Sequence, residues 1–404
     1  MIRELRESFN RNWTDAQYRD LIRRLESRTG ATLGFPISET PCFFPKSLMA
    51  SLSATGLDLV NQLLGSADVM AAADAIVPER FRGDGAESVP TFLQVDFGLV
   101  RNSSGTLEPK LVELQAFASL YGFQGAVAEA YRDAFGLPSS LRVYLGDLDP
   151  AAYHSLIADA IVGDHDPSEV VLMEIDPRQQ KTWPDFVVTE QMWGVRAVDV
   201  SEVKREGRRL YYRRDGRLTQ IKRIYNRVIP DELERKRVVL PFGYGDDLEV
   251  SWAGHPAWYF RISKFSIPFL RHPSVPETRF LDGIESLPVD RDRYLLKPLF
   301  SFAGGGIIFA PTDAQIAAIP MSERKNYILQ ERINFTPVID TPEGPTQVEI
   351  RMMYVNDPSA SPRANGSQLR PVLPLLRMGR GKMMGVDHNK GLKWVGASAG
   401  FIAE

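Results

Sequence analysis

The chain has 404 residues, a formal net charge of −3, 44% hydrophobic and 25% charged residues, which suits a soluble globular protein of two or three lobes and provides no global field to recruit nucleic acid or an anionic membrane. A single cysteine, Cys42, excludes an internal disulfide and fits a reducing compartment, with a buried small hydrophobe favoured over a nucleophile. No apolar run approaches the ~20 residues a membrane span needs, and the opening MIRELRESFNRNW lacks the apolar region of a secretory signal, so a cytoplasmic location is expected.

The first eighty residues read as helical. Thr14-Asp-Ala-Gln17 has the capping-box form, and Leu21, Ile22 and Leu25 recur at helical spacing. Pro36, Pro41 and Pro45 break the chain before a helix over 47–64. Residues 91–100 and 109–116 read as strands joined by a polar turn, and Tyr121 to Phe135 as a helix. Residues 140–230 look like a separate α/β unit: Val170–Ile175 is a short apolar run of the buried parallel type, Trp183 to Trp193 a helix closed at Gly194, and Val195–Val200 a second strand. Arg209–Arg213 and Leu218 to Tyr225 form a hairpin around Asp215-Gly216, a pair that favours a primed turn. Thirteen Lys or Arg between 204 and 237 fit a solvated hairpin face better than a nucleic-acid patch, since no aromatic–basic interleaving continues beyond them. Pro273 to Gly283 reads as loop, Tyr294–Pro298 as a strand, 301–306 as a glycine-rich turn, and Thr312-Asp-Ala-Gln315 as the cap of a short helix. Tyr327–Ile333 and Val348–Val355 are strands, 356–370 is a long loop, and a final strand pair carries Arg377 and Asp387-His-Asn389.

Chemistry concentrates in four places. Alternation along a strand sets Glu113 and Gln115 on one face, opposite Asp96 on its hairpin partner. Two carboxylates and an amide oxygen are hard oxygen donors of the kind Mg2+ takes, together with phosphate. Lys297 runs into Ser301-Phe-Ala-Gly-Gly-Gly306. Glycines let backbone amides approach phosphate oxygens and a fixed lysine adds charge, although a plain β-turn fits the same residues. Gln330-Glu331-Arg332-Ile333 has the form of an adenine hinge, with Glu349 placed to reach ribose hydroxyls. Arg351, Arg377 and Asn389 sit among apolar neighbours, and buried charges need partners. Met352, Met353, Met383 and Met384 read as core filler, His255-Pro-Ala-Trp258 as packing, and His388 as exposed. Tyr225-Asn226-Arg227 fits a structural and a substrate-contact role equally. No Cys/His or Ser/His/Asp nucleophile arrangement is present.

Taken together, Leu296-Lys-Pro298 with its glycine loop, Leu329-Gln-Glu-Arg-Ile333, Glu349-Ile-Arg351 and Asp96…Glu113-x-Gln115 resemble the successive motifs of the ATP-grasp superfamily of carboxylate–amine ligases. The usual order places the acidic metal motif last. Here it comes first, as in circularly permuted members such as the synthetase part of glutathionylspermidine synthase, whose Leu-Glu-x-Asn…Ser-Leu-Tyr segment is similar to Val112–Tyr121. The resemblance covers roughly residues 90–404.

That resemblance implies an α/β (α+β) ATP-grasp fold in permuted order. Its expected parts are an N-terminal helical region (1–84), a metal-binding segment completing the C-terminal lobe (85–139), a Rossmann-like pre-ATP-grasp domain (140–245), an N-lobe with the glycine loop (246–328) and a C-lobe (329–404). It implies that Asp96, Glu113 and Gln115 bind Mg2+. Lys264, Lys297 and Gly304, Gly305 and Gly306 would hold ATP phosphates, Gln330, Glu331 and Ile333 the adenine, and Glu349 the ribose. Arg351, Arg377 and Asn389 would face the transferred phosphate. The activity implied is an ATP- and Mg2+-dependent joining of a small-molecule carboxylate to an amine through an acyl phosphate, on amino-acid, peptide or polyamine substrates. The alternatives are a small-molecule kinase and a non-catalytic nucleotide-binding protein. Two residues depart from the family pattern: Gln115 stands where Asn is usual, and Gln94 where an arginine often precedes the aspartate. Arg351 or Arg377 is available to substitute for that arginine.

Overall fold

A computed structural model describes residues 1–404 apart from 84, 302, 303, 364, 366, 386 and 387. The start of the expected glycine loop, Phe302-Ala303, and Asp387 therefore lie outside the described residues. Two N-terminal helices, Arg3–Asn12 and Asp15–Thr29, precede a short strand, β1 (Cys42–Pro45), that the proline-rich sequence hid. The second of these helices is closed at its start by the Thr14/Gln17 capping box. The helix Lys46–Leu64 leads to the hairpin β2 (Phe92–Arg101) and β3 (Leu107–Gln115). The helix Phe123–Phe135 follows.

The middle of the chain carries β4 (Val170–Glu174), β5 (Arg196–Asp199), β6 (Lys204–Glu206), β7 (Arg209–Arg214), β8 (Arg217–Ile221), β9 (Arg223–Asn226) and β10 (Ser251–Ala253). Strands β10-β9-β4-β5, in that order, form an all-parallel sheet. Its helices Pro150–Ile161 and Trp183–Trp193 supply the covering layer, and Gly194 ends the second in the left-handed conformation. The expected single strand Leu218 to Tyr225 is two strands. It breaks at Lys222, whose N–H donates to Glu169 O (2.8 Å), because β8 pairs with β7 while β9 inserts Ile224 into the buried parallel sheet. The turn at Asp215-Gly216 has both φ values positive (51° and 81°), as a primed turn requires. Its basic face is neutralised outward: Arg208 and Arg209 pair with Asp247 and Glu249 at 2.7 Å each.

The last third holds β11 (Thr278–Phe280), β12 (Tyr294–Pro298), β13 (Ile308–Phe309), β14 (Tyr327–Glu331), β15 (Gln347–Asn356), β16 (Leu369–Gly379) and β17 (Gly396–Ala403). β11 lies inside the segment read as loop; it is three residues long and exists by pairing with β14. The order β11-β14-β12-β13 makes a small antiparallel sheet. The largest sheet runs β1-β17-β16-β15-β2-β3, so the early hairpin completes a sheet otherwise built from the C-terminus.

Alternation on this six-stranded sheet decides where the cleft forms. Leu93, Val95, Phe97, Ile350, Met352 and Tyr354 join the cluster that holds Leu52, Leu59 and Leu63 of the helix Lys46–Leu64. The opposite face is apolar at one end, where Phe92, Met353, Val355 and Leu373 meet Tyr121, Tyr153 and Phe186 of the parallel-sheet unit. At its other end that face carries Asp96, Glu349, Arg351 and Arg377, and there it becomes the wall of a cleft. Among the described residues no helix is long and apolar enough to cross a membrane.

Candidate functional site

A cleft of about 350 Å3 lies between the six-stranded sheet and the small antiparallel sheet, a size within the ordinary range of small-molecule sites. Its charged wall comes from the two ladders that β15 makes with its neighbours. Arg351 on β15 faces Asp96 on β2, and Glu349 faces Arg377 on β16. Arg351 grips Asp96 through both ends of its fork, Nε to Oδ1 and Nη2 to Oδ2, each at 2.6 Å. Arg377 Nη2 donates to the same Oδ2 at 2.6 Å and also pairs with Glu349. Glu113, opposite Asp96 on β3, lies 3.7 Å from Arg351 and 4.0 Å from Lys264.

The facing wall supplies two lysines. Lys264 opens a short 3-10 helix capped by Ser263, and its Nζ donates to Ser301 O (2.9 Å). Lys297 on β12 is 4% exposed; its Nζ donates to Gln330 Oε1 on the adjacent β14 at 2.5 Å and lies 3.4 Å from Val112 O. Burial pulls the Lys297 ammonium down to about 8, against the pull of Glu113 and with the help of the Lys264 charge. Burial pushes the Glu113 carboxyl up, but Lys264, Arg351, Lys297 and Arg377 outweigh it and hold it below its ordinary range. The Glu349 carboxyl goes the other way: burial raises it, and Arg377 only partly offsets that. Four polar atoms on this lining are buried with no hydrogen-bond partner among the described residues: Gln330 Nε2, Arg377 Nε, Ser301 Oγ and Glu349 Oε1, the last of them ion-paired with Arg377.

Between the two walls, Leu295, Ile307, Phe309, Ile333 and Phe335 form an apolar slot beside Glu331 and Arg332. Phe335 reaches it because residue 98 is glycine; a Cβ there would lie 2.6 Å from the Phe335 ring. Gly304 and Gly306 both adopt positive φ (75° and 71°), and Gly304 lines the cleft against Met383. Met383 and Met384 thus border the cleft, whereas Met352 and Met353 are core as expected. The slot residues Leu295, Ile307, Phe309 and Phe335 carry no motif, and only their short strands and flanking charged residues mark them in the sequence.

Of the residues singled out from the sequence, Lys264, Lys297, Gln330, Glu331, Ile333, Glu349, Arg351, Arg377, Asp96, Glu113 and Gln115 converge on this region, with Gly304 at its edge. Asn389 does not face the charged wall. It sits in the loop between β16 and β17 rather than on a strand. Its Oδ1 accepts from the amides of Arg380 and Gly381, and its Nδ2 donates to Met383 O and Gly385 O. Its side chain is consumed in holding its own loop. Tyr225-Asn226-Arg227 is structural: Tyr225 packs on Phe92, and Arg227 forms a buried pair with Asp185 at 2.6 Å.

Of the expected Mg2+ donors, Asp96 does not fit this geometry. Both Asp96 oxygens are bound by guanidinium groups. Gln115 donates from its amide nitrogen to Gln94 Oε1 (2.9 Å), a bond that does not engage its own amide oxygen. That leaves Glu113 as the carboxylate with the loosest partners. Among the described residues no group of three or more His, Cys, Asp or Glu side chains is arranged to hold a metal ion.

The architecture defined by these sheets is a mixed α/β fold with a cleft between a mostly antiparallel six-stranded sheet and a smaller one. It is the fold of a glutathione synthetase-like effector from Globodera pallida, solved in its apo form, with a TM-score of 0.59 and 12% identity over 96% of each chain. No protein-family model and no curated protein sequence matches the chain.

Proposed function

We propose that the chain is an ATP-grasp-like ligase in permuted order, binding ATP in this cleft and joining a carboxylate to an amine. The observation that carries the reading is the convergence of cations and unpaired buried donors from distant stretches: Lys264, Lys297 and Gln330, with Arg351 and Arg377 from across the cleft. A buried donor left unpaired costs about 1–3 kcal/mol, and an anionic ligand removes that cost. In this reading the apolar slot takes the adenine, Glu349 the ribose, and Lys264, Lys297 and the Gly304–Gly306 turn the phosphates. A substrate carboxylate oxygen attacks the γ-phosphorus, and the bond to the β-phosphate bridging oxygen breaks, giving an acyl phosphate and ADP. The amine then attacks the acyl carbon, and inorganic phosphate leaves. The residues align and neutralise, which is most of what phosphoryl transfer requires of a protein. No step is assigned to a metal.

The test is ADP release in the presence of amino acids, peptides and polyamines supplied singly and in pairs. A ligase sustains ADP release over many turnovers only when a carboxylate and an amine are both present. Turnover that never needs an amine indicates a kinase. A second reading, nucleotide binding without turnover, is favoured by the double capture of Asp96; it gives saturable ATP binding and no ADP with any mixture.

A further inference from the structure

Resting on the nucleotide reading above, we propose that the cleft binds its phosphate-bearing ligand without a divalent cation, Arg351 and Arg377 occupying the side of Asp96 that a cation would need. A Mg2+ ligand oxygen must approach to about 2.0–2.1 Å in near-octahedral geometry. Both Asp96 oxygens already accept guanidinium hydrogen bonds, one of them two. Releasing Asp96 to a cation leaves Arg351, which is 7% exposed, with looser acidic neighbours such as Glu113 at 3.7 Å. A buried charge deprived of its partner is strongly unfavourable.

The charge count agrees. Four cations, Lys264, Lys297, Arg351 and Arg377, face three carboxylates, Asp96, Glu113 and Glu349. Lys382 adds a further ammonium at the lining. The site thus carries a net positive charge of its own toward a polyphosphate, even with its guanidinium groups held on Asp96.

The experiment is isothermal titration of the full chain with ATP and with ADP, in EDTA and in excess MgCl2. Affinity in EDTA within about threefold of that in Mg2+ is the expected result. Tightening by Mg2+ beyond about threefold overturns the inference while leaving nucleotide binding intact. Absence of binding in both conditions overturns the nucleotide reading itself. Arg351→Met supplies the converse arm: it frees Asp96 Oδ1, with Oδ2 still held by Arg377, so binding in EDTA weakens by about tenfold and Mg2+ now restores part of it. An Arg351→Met protein that melts cooperatively and shows the metal response of the parent counts against the assignment. Should that variant fail to fold, the titrations of the unaltered chain still decide.

Discussion

Asp96 and Arg351 face each other across one rung of the β2–β15 ladder, 255 positions apart in sequence, joined by two hydrogen bonds of 2.6 Å. Arg377 adds a third bond to the same carboxylate. The pair ties the early hairpin to the C-terminal strands as well as forming the cleft wall. Asp96→Asn leaves Arg351 buried with only looser acidic neighbours such as Glu113 at 3.7 Å among the described residues, and breaking a buried pair costs about 3–5 kcal/mol. Denaturant unfolding should register it as a lower midpoint. In the double variant Asp96→Asn/Arg351→Met the two losses should fall well short of additive.

Lys297 sets a pH dependence with opposite signs for binding and stability. Folded, its ammonium gives up its proton at about 8 rather than at the ordinary 10.5, chiefly through burial. Between those values the unfolded chain holds more protons, so stability rises with pH across the window, and the burial penalty is fully present below about 8. Phosphate binding needs the charged form. Nucleotide affinity should therefore fall as pH rises through about 8, and binding near that pH should take up a proton. Titration calorimetry in buffers of different ionisation enthalpy measures the uptake, and Lys297→Met should remove it.

Gly98 makes room for Phe335 rather than serving a turn. A Cβ at this position meets the ring at 2.6 Å, and Phe335 is part of the apolar slot. Gly98→Ala should push the ring into the space assigned to adenine and weaken ATP binding by about tenfold. Inorganic triphosphate, which lacks the base, should bind as before. Equal losses for both ligands would place the base elsewhere.

Glu174, at the end of β4, is 3% exposed, and its Oε1 accepts from the Ile175 amide at 2.8 Å. Burial pushes its carboxyl up to about 8, with Arg227 pulling the other way. Between 4.5 and about 8 the folded state holds the extra proton, so Glu174 lowers stability as pH rises through that window. Glu174→Gln should be close to neutral below 4.5 and stabilising above about 8. Urea melts at the two extremes test the sign.

Local chemistry was readable where residues speak for themselves. The capping boxes at Thr14 and Thr312, the stop at Gly194 and the Asp215-Gly216 turn all have the geometry their side chains dictate. The alternation around Asp96 and Glu113 placed them opposite one another, and the register agrees. What the sequence hid depends on distant partners. β1 exists by pairing with β17, and β11 by pairing with β14. Lys222 divides two strands because they belong to different sheets. The capture of Asp96 by Arg351 follows from the register of β2 against β15, which no local pattern encodes. Asn389 looked poised for chemistry from its company, but loop closure employs all of its side-chain bonds.

The central claim is that Lys297 and the Asp96–Arg351 wall grip one nucleotide. A crystal structure with a non-hydrolysable ATP analogue tests it most directly. The account predicts the base beside Ile333 and Phe335, with phosphate oxygens within hydrogen-bond distance of both Lys297 and Arg351. An analogue bound outside this cleft, or phosphates pointing away from both side chains, would contradict it.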